Sequence, residues 1–210
     1  MKNTGLLTAA CLCSQLICFC AKQSVQPLPV TEQSLQRYRT ARTYYTEQRF
    51  EQALTLLLEN HRTAPDFCAN SFLIGKICYF NGDLAEAERY WRHTLEVNCH
   101  HLDTRKWLAR LYLREGRIEE AQGVIAEGLA VSSEDAELLI LMAKVKRLEQ
   151  DLAGAIELYL KAQAFTERLS EASIDLAEIY CSFGLTERAE EELKRALVLL
   201  GENSSISPSV

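Results

Sequence analysis

The side chains best suited to chemistry are crowded into one short stretch. His93, Cys99, His100, His101 and Asp103 bring together imidazole, thiol and carboxylate, the donors that hold zinc. Structural zinc sites pair such donors at ordered spacings, and that order is lacking here. The stretch reads as a polar turn, and no metal is expected. Beyond residue 20 there is no phosphate-cradling glycine loop, no nucleophile elbow, no HExxH and no CxxC. No acid and base recur at a spacing that a helical hairpin would converge. The expectation is a chain that is not an enzyme and carries no cofactor.

Four of the eight cysteines fall within residues 11–20. Of the rest, Cys68, Cys78, Cys99 and Cys181, the sequence places Cys78 as a small buried hydrophobe. Cys68 opens a repeat and Cys99 closes the same one, so a bridge between them is geometrically open, with free thiols as the alternative. The composition narrows the class further. Apolar residues make up 48% of 210, enough for a core, while 9 Gly and 4 Pro are too few for a turn-rich all-β fold. A net charge of −6 argues against a nucleic-acid binder.

The first segment, residues 1–20, has a basic start at Lys2 and then an apolar run from Gly5 to Cys20. That run is short of the roughly 20 residues a membrane-spanning helix needs, and it reads as a signal peptide. Its end resembles the bacterial lipoprotein pattern, which implies that Cys20 becomes a lipidated first residue. Phe19 departs from that pattern, and ordinary cleavage before Ala21 is the alternative. Residues 21–33 read as a tether stiffened by Pro27 and Pro29. Export to the cell envelope follows, with membrane contact through an N-terminal lipid only.

The remainder is periodic. Ala53, Ala87, Ala121, Ala155 and Ala189 recur every 34 residues, and Ala41, Gly75, Ala109, Ala143 and Ala177 recur at the same interval. Gly82, Gly116 and Gly184 form a third ladder, with Gln48 and Gln150 in its other slots. Leu57, Trp91, Ile125, Tyr159 and Leu193 form a bulky one, and Tyr44, Cys78, Tyr112 and Tyr180 an aromatic one interrupted by Cys78 and Lys146. Each copy reads as two amphipathic helices; Phe72, Gly75, Lys76 and Tyr79 share one face of the first helix in the second copy. Gly82 should end that helix, and Asp83 with Glu86 should form a capping box for the next.

These ladders resemble the tetratricopeptide repeat (TPR) family over residues 34–203, in five copies: 34–67, 68–101, 102–135, 136–169 and 170–203. The resemblance implies an all-α, right-handed superhelical solenoid, with residues 204–210 as a disordered tail. It also implies a protein-interaction scaffold in which the first helix of each copy lines a binding groove. The groove positions are Tyr38, Arg42, Tyr45, Phe72, Lys76, Tyr79, Phe80, Lys106, Arg110 and Lys144. Aromatics there would take apolar anchors of a protein or peptide segment, and the cations its carboxylates. The alternative is an internal ladder, in which the cations pair with Asp103, Glu137 and Glu171 of the following copies. The chaperone-tail-binding subfamily needs Asn at the repeat position of Arg42 and Lys76, and no copy has it. Finally, Ala196–Leu200 carries more apolar surface than one buried face uses. It either packs on the first helix of its own copy or makes residues 186–200 a self-association surface, the structural-oligomer alternative.

Overall fold

A computed structural model describes residues 30–165 and 170–205. The expected leader, Cys20 and most of the tether lie outside the described residues, as do residues 206–210. The described residues form ten α-helices and no strand. They fall into two compact units that divide at His101/Leu102, the boundary between the second and third repeats.

The first unit holds α1 (Glu32–Thr46), α2 (Phe50–Thr63), α3 (Cys68–Asn81) and α4 (Leu84–Val97). The second holds α5 (Leu102–Arg114), α6 (Ile118–Val131), α7 (Ala136–Leu148), α8 (Leu152–Phe165), α9 (Ser170–Ser182) and α10 (Thr186–Ser205). Each repeat is one hairpin, an odd-numbered helix followed by an even-numbered one. Helix α1 starts inside the expected tether because Thr31 caps it, its hydroxyl accepting from Ser34 N–H at 3.1 Å. At the other end α10 continues to Ser205, so the first two residues of the expected tail are helical.

The two small-residue ladders mark the contact inside each hairpin. Ala41, Ala53, Ala87, Ala109, Ala121, Ala143 and Ala155 are fully buried, and Ala177 and Ala189 are 2% exposed. Small side chains let two helices approach closely, and the bulky ladder fills the space beside them. Leu57, Trp91, Ile125 and Tyr159 are wholly buried; Leu193, the fifth member, is 44% exposed. The turn ladder has one backbone requirement throughout. Gln48, Gly82, Gly116, Gln150 and Gly184 all adopt positive φ, between 61° and 89°. Glycine meets this without strain, and the two glutamines do not.

Two expectations are corrected. Asp83 has ψ 67° and makes no side-chain cap, and Glu86 is held instead by Arg89 at 2.7 Å, so the capping box does not form. Helix α3 is not amphipathic in the simple sense, because Asn70, Ser71, Leu73, Ile74, Gly75, Ile77 and Cys78 are all buried. It packs on both α2 and α4, and between its two ends only the strip of Phe72, Lys76, Tyr79 and Phe80 stays in contact with solvent. Of the two readings left open for Cys68 and Cys99, the structure has the free thiols, as it does for Cys78 and Cys181. Burial, with Asp83 and Glu86 adding to it, pushes the Cys78 thiol up.

Candidate functional site: two differently charged helix faces

In the first unit the expected groove residues gather on α1 and α3. Tyr38 packs on Phe67 with ring centroids 5.1 Å apart, and Tyr45 on Phe50 at 5.6 Å. Phe50 stacks on Phe80 at 6.3 Å, and Tyr79 meets Phe80 edge-on at 5.9 Å. The Lys76 ammonium lies 5.1 Å from the Tyr45 ring centre and 6.0 Å from that of Phe72, the geometry of a cation–π contact. Phe80 is 52% exposed. Arg42 is exposed and has no carboxylate partner among the described residues. Burial pushes the Tyr38 hydroxyl pKa up, and the nearby Arg42 charge partly offsets that. The face is thus aromatic and cationic, with apolar surface beside a solvated guanidinium.

The second unit places its expected groove residues differently. Lys106 on α5 is only 13% exposed in its side chain and lies 2.8 Å from Asp135 and 3.1 Å from Glu137. Burial works against its charge, but those two carboxylates overcome this and hold its pKa above the usual lysine value. Arg110 pairs with the same Glu137. That carboxyl is half-buried, which would raise its pKa, yet Arg110 and Lys106 bring it below the usual range. Lys144 on α7 pairs with Glu171 and lies 3.9 Å from Asp175. Arg147 reaches Asp175 at 3.2 Å and Glu178 at 2.7 Å. Asp175 is 7% exposed and also accepts a hydrogen bond from Tyr159 Oη at 2.9 Å. Burial, reinforced by that carboxylate, drives the Tyr159 hydroxyl pKa upward.

All ten expected residues therefore lie on odd-numbered helices, but they do two things. Arg110 and Lys144 are neutralised by acids of the following repeat, and Lys106 by Asp135 at the end of its own repeat together with Glu137 of the next. Tyr38, Tyr45, Phe72, Lys76, Tyr79 and Phe80 form an aromatic face beside Arg42. The sequence reading missed Phe50, Phe67, Asp135 and Asp175. Asp175 gave no periodic signal, since no other copy has an acid at its repeat position. Phe67 lies in the turn before α3, and Phe50 opens α2, a position whose equivalents Leu84, Ile118 and Leu152 mark an apolar ladder that could have pointed to it. The histidines of the polar turn also separate: His93 Nε2 donates to Pro65 O at 3.1 Å, while the His101 ring packs on Phe72 at 5.0 Å.

Comparison with known proteins agrees with this architecture. The model of the tetratricopeptide repeat family matches residues 81–145. The chain is 27% identical over 176 residues, 78% of its length, to the BBSome complex member BBS4 homolog of Drosophila melanogaster, and it spans 36% of that relative. Among solved structures, MamA (residues 41 to the end) from Desulfovibrio magneticus RS-1 superposes with a TM-score of 0.70 at 17% identity, covering 85% of this chain and 100% of that one. The pilF protein of Pseudomonas aeruginosa gives 0.72 at 13% identity, over 79% and 76%. YrrB, described as a TPR protein with an unusual peptide-binding site, gives 0.61 at 14%, over 78% and 84%. These likenesses show an all-α helical repeat fold, and the family match supports reading its repeats as tetratricopeptide repeats.

Proposed function

We propose that the chain is a non-enzymatic protein-interaction scaffold that binds an extended, acidic peptide segment on the α1/α3 face of the first unit. One observation carries this: Arg42 and its equivalents Arg110 and Lys144 differ in what lies 27 residues further on. Arg110 meets Glu137 and Lys144 meets Glu171. The corresponding residue for Arg42 is Ala69, which offers no carboxylate. A ligand carboxylate at Arg110 or Lys144 must displace an internal acid, whereas at Arg42 it displaces only water. The rings of Tyr38, Tyr45, Phe72, Tyr79 and Phe80 supply area for apolar anchors of the same ligand.

Selection of a random peptide library on the chain tests the reading. Enriched peptides are expected to combine carboxylates with large apolar side chains. A charge-assisted hydrogen bond contributes about 1.5–3 kcal/mol, so Arg42→Glu should weaken them tenfold or more. Lys144→Glu should leave them bound. Equal loss in both variants would place the ligand elsewhere.

We further propose that the scaffold works at the cell envelope in complex assembly, held by lipid on Cys20. Lys2, the apolar run Gly5–Cys20 and the Pro27/Pro29 tether support this reading. One acyl chain binds membranes only marginally, so stable anchoring takes a multiply acylated cysteine. Mass spectrometry of the mature N-terminus decides it: an acylated Cys20 is expected, and a free Ala21 terminus would replace the lipid anchor with ordinary cleavage.

A further inference from the structure

We infer that α10 is a self-association surface on which two copies of the chain pair, α10 against α10, about a two-fold axis. Of the apolar run Ala196–Leu200 in α10, Leu197 is 67% exposed, Val198 60% and Leu200 48%, while Leu199 is half-buried. Leu193, Leu197 and Leu200 form a stripe at i, i+4 and i+7, one side of the helix over about 10 Å.

That side has a defined use in earlier repeats. The positions 34 and 136 residues before Leu193 are Tyr159 and Leu57, both fully buried. Tyr159 Oη donates to Asp175 of α9, and Gln163, the equivalent of Leu197, donates to Ser173 of α9 at 2.9 Å. In the first unit Asn60 Nδ2 donates to Asn70 of α3 at 3.0 Å, and His61, again the equivalent of Leu197, lies 3.3 Å from Ser71 of α3. This side of an even-numbered helix therefore receives the next odd-numbered helix. In α10 its polar anchors Asn60, His61, Tyr159 and Gln163 are replaced by Ala196, Leu197, Leu193 and Leu197, so what it receives must be an apolar helix face.

Two helices on a second copy are candidates, and charge chooses between them. On α1 the residues equivalent to Asn70, Ser71, Ser173 and Asp175 are Gln36, Arg37 and Arg39. Arg37 is paired with Glu59 at 2.9 Å and Arg39 with Glu32 at 3.3 Å. Seating Leu197 there would bury two ion pairs under leucine, a desolvation that packing does not repay. A head-to-tail stack of α10 on α1, which would grow into a filament, is mismatched. The α10 stripe matches itself, and an isologous contact closes at two copies. An antiparallel crossing beside Leu197 sets Leu193 of each copy near Leu200 of the other. It also keeps Glu190 of the two copies roughly 20 Å apart along the helix, beyond the Debye length at physiological salt.

Sedimentation velocity of the full chain tests this across a dilution series, with Leu197→Glu and, as control, Leu148→Glu, which places the same charge on a 54% exposed leucine of α7. The expected result is a dimer that dissociates on dilution, a Leu197→Glu variant that is monomeric throughout with unchanged helical circular dichroism, and a Leu148→Glu variant that still dimerises. Leu193→Lys gives the same readout if Leu197→Glu loses helix. A wild-type chain that stays monomeric, a dimer that survives both α10 substitutions, or a mass that keeps climbing past two copies each overturns it. Peptide capture by the α1/α3 face is unaffected by any of these outcomes.

Discussion

Replacing Gly75 by Ala should destabilise the first unit, although it puts a better helix former into the middle of a helix. Gly75 sits on α3 where the small-residue ladder otherwise carries Ala, and it faces Trp91 of α4, which is fully buried. A Cβ built on Gly75 would lie 2.6 Å from Trp91 Cδ1 and 2.9 Å from Cε2, with Nε1 nearer still. Those contacts are well inside van der Waals range, and the indole is hemmed in by the core. Its Nε1 also donates to Phe72 O at 3.2 Å, so sliding the ring away breaks a hydrogen bond. Overpacking of this kind costs about 1–3 kcal/mol and the lost bond about 1 kcal/mol. The gain in helix propensity from Gly to Ala offsets about 1 kcal/mol. The net expectation is a loss of about 1–3 kcal/mol, read as a lower urea midpoint of the helical circular dichroism signal. Trp91→Leu should cost stability alone but make Gly75→Ala harmless or favourable in its background, because the smaller side chain leaves room for the methyl. A neutral Gly75→Ala, or two costs that simply add, would refute the close approach.

The two glutamines with positive φ give a prediction of opposite sign: Gln48→Gly (φ 61°) and Gln150→Gly (φ 64°) should each stabilise by about 0.5–1 kcal/mol in thermal melts, since the left-handed strain removed exceeds the entropy glycine adds to the unfolded chain. His61 is held below the usual histidine pKa by burial, by His93 5.4 Å away and by Arg89, with Asp66 opposing. Its unfolded form takes up a proton first, so stability of the first unit should be intact above about pH 6.5 and decline as pH falls below it, a slope that His61→Gln should flatten. Glu137 has the opposite shift, and its contribution should be present above about pH 4.5 and disappear as pH falls through its lower folded value; an acid titration of melting temperature should lose part of its slope in Glu137→Gln.

The hairpins were legible in the sequence because their cause is local and repeated. A small side chain where two helices touch, and a residue tolerant of positive φ where the chain reverses, must recur wherever the geometry recurs. Even Gly75 is intelligible from sequence, since the one glycine of its ladder faces the one tryptophan of the bulky ladder. The capping box was misread because Asp83 and Glu86 have the right types and spacing, but the turn after Gly82 gives Asp83 a ψ that carries its carboxyl away from the helix start. Leu193 was misread because a ladder records residue type and not cover; Leu57, Ile125 and Tyr159 lie on helices that pack against a following helix of their own unit, and Leu193 has none among the described residues. The binding face was legible only in outline. Whether a cation is spent on an internal acid depends on a residue in the next repeat, which a position-by-position comparison of equivalent side chains does not examine.

That dependence permits a substitution that should close the site without touching it. Adjacent repeats put residue i beside residue i+27 on neighbouring odd-numbered helices, which is how Arg110 meets Glu137 and Lys144 meets Glu171. Ala69 occupies the same place relative to Arg42 and is half-buried at the start of α3. Ala69→Glu should therefore give Arg42 the partner its equivalents already have. A carboxylate near the N-terminus of α3 is favoured by the helix dipole, so the variant should be no less stable than the parent. Its affinity for acidic peptides should nevertheless fall, because the ligand would now displace an internal carboxylate rather than water. Ala69→Gln, which has the same length without the charge, should bind nearly as well as the parent. Fluorescence-polarisation titrations of one labelled peptide against the three chains would separate the cases. Equal affinity for all three would mean that Arg42 does not read the ligand's charge; equal loss in Glu and Gln variants would mean that bulk at residue 69, and not neutralisation of Arg42, blocks the face.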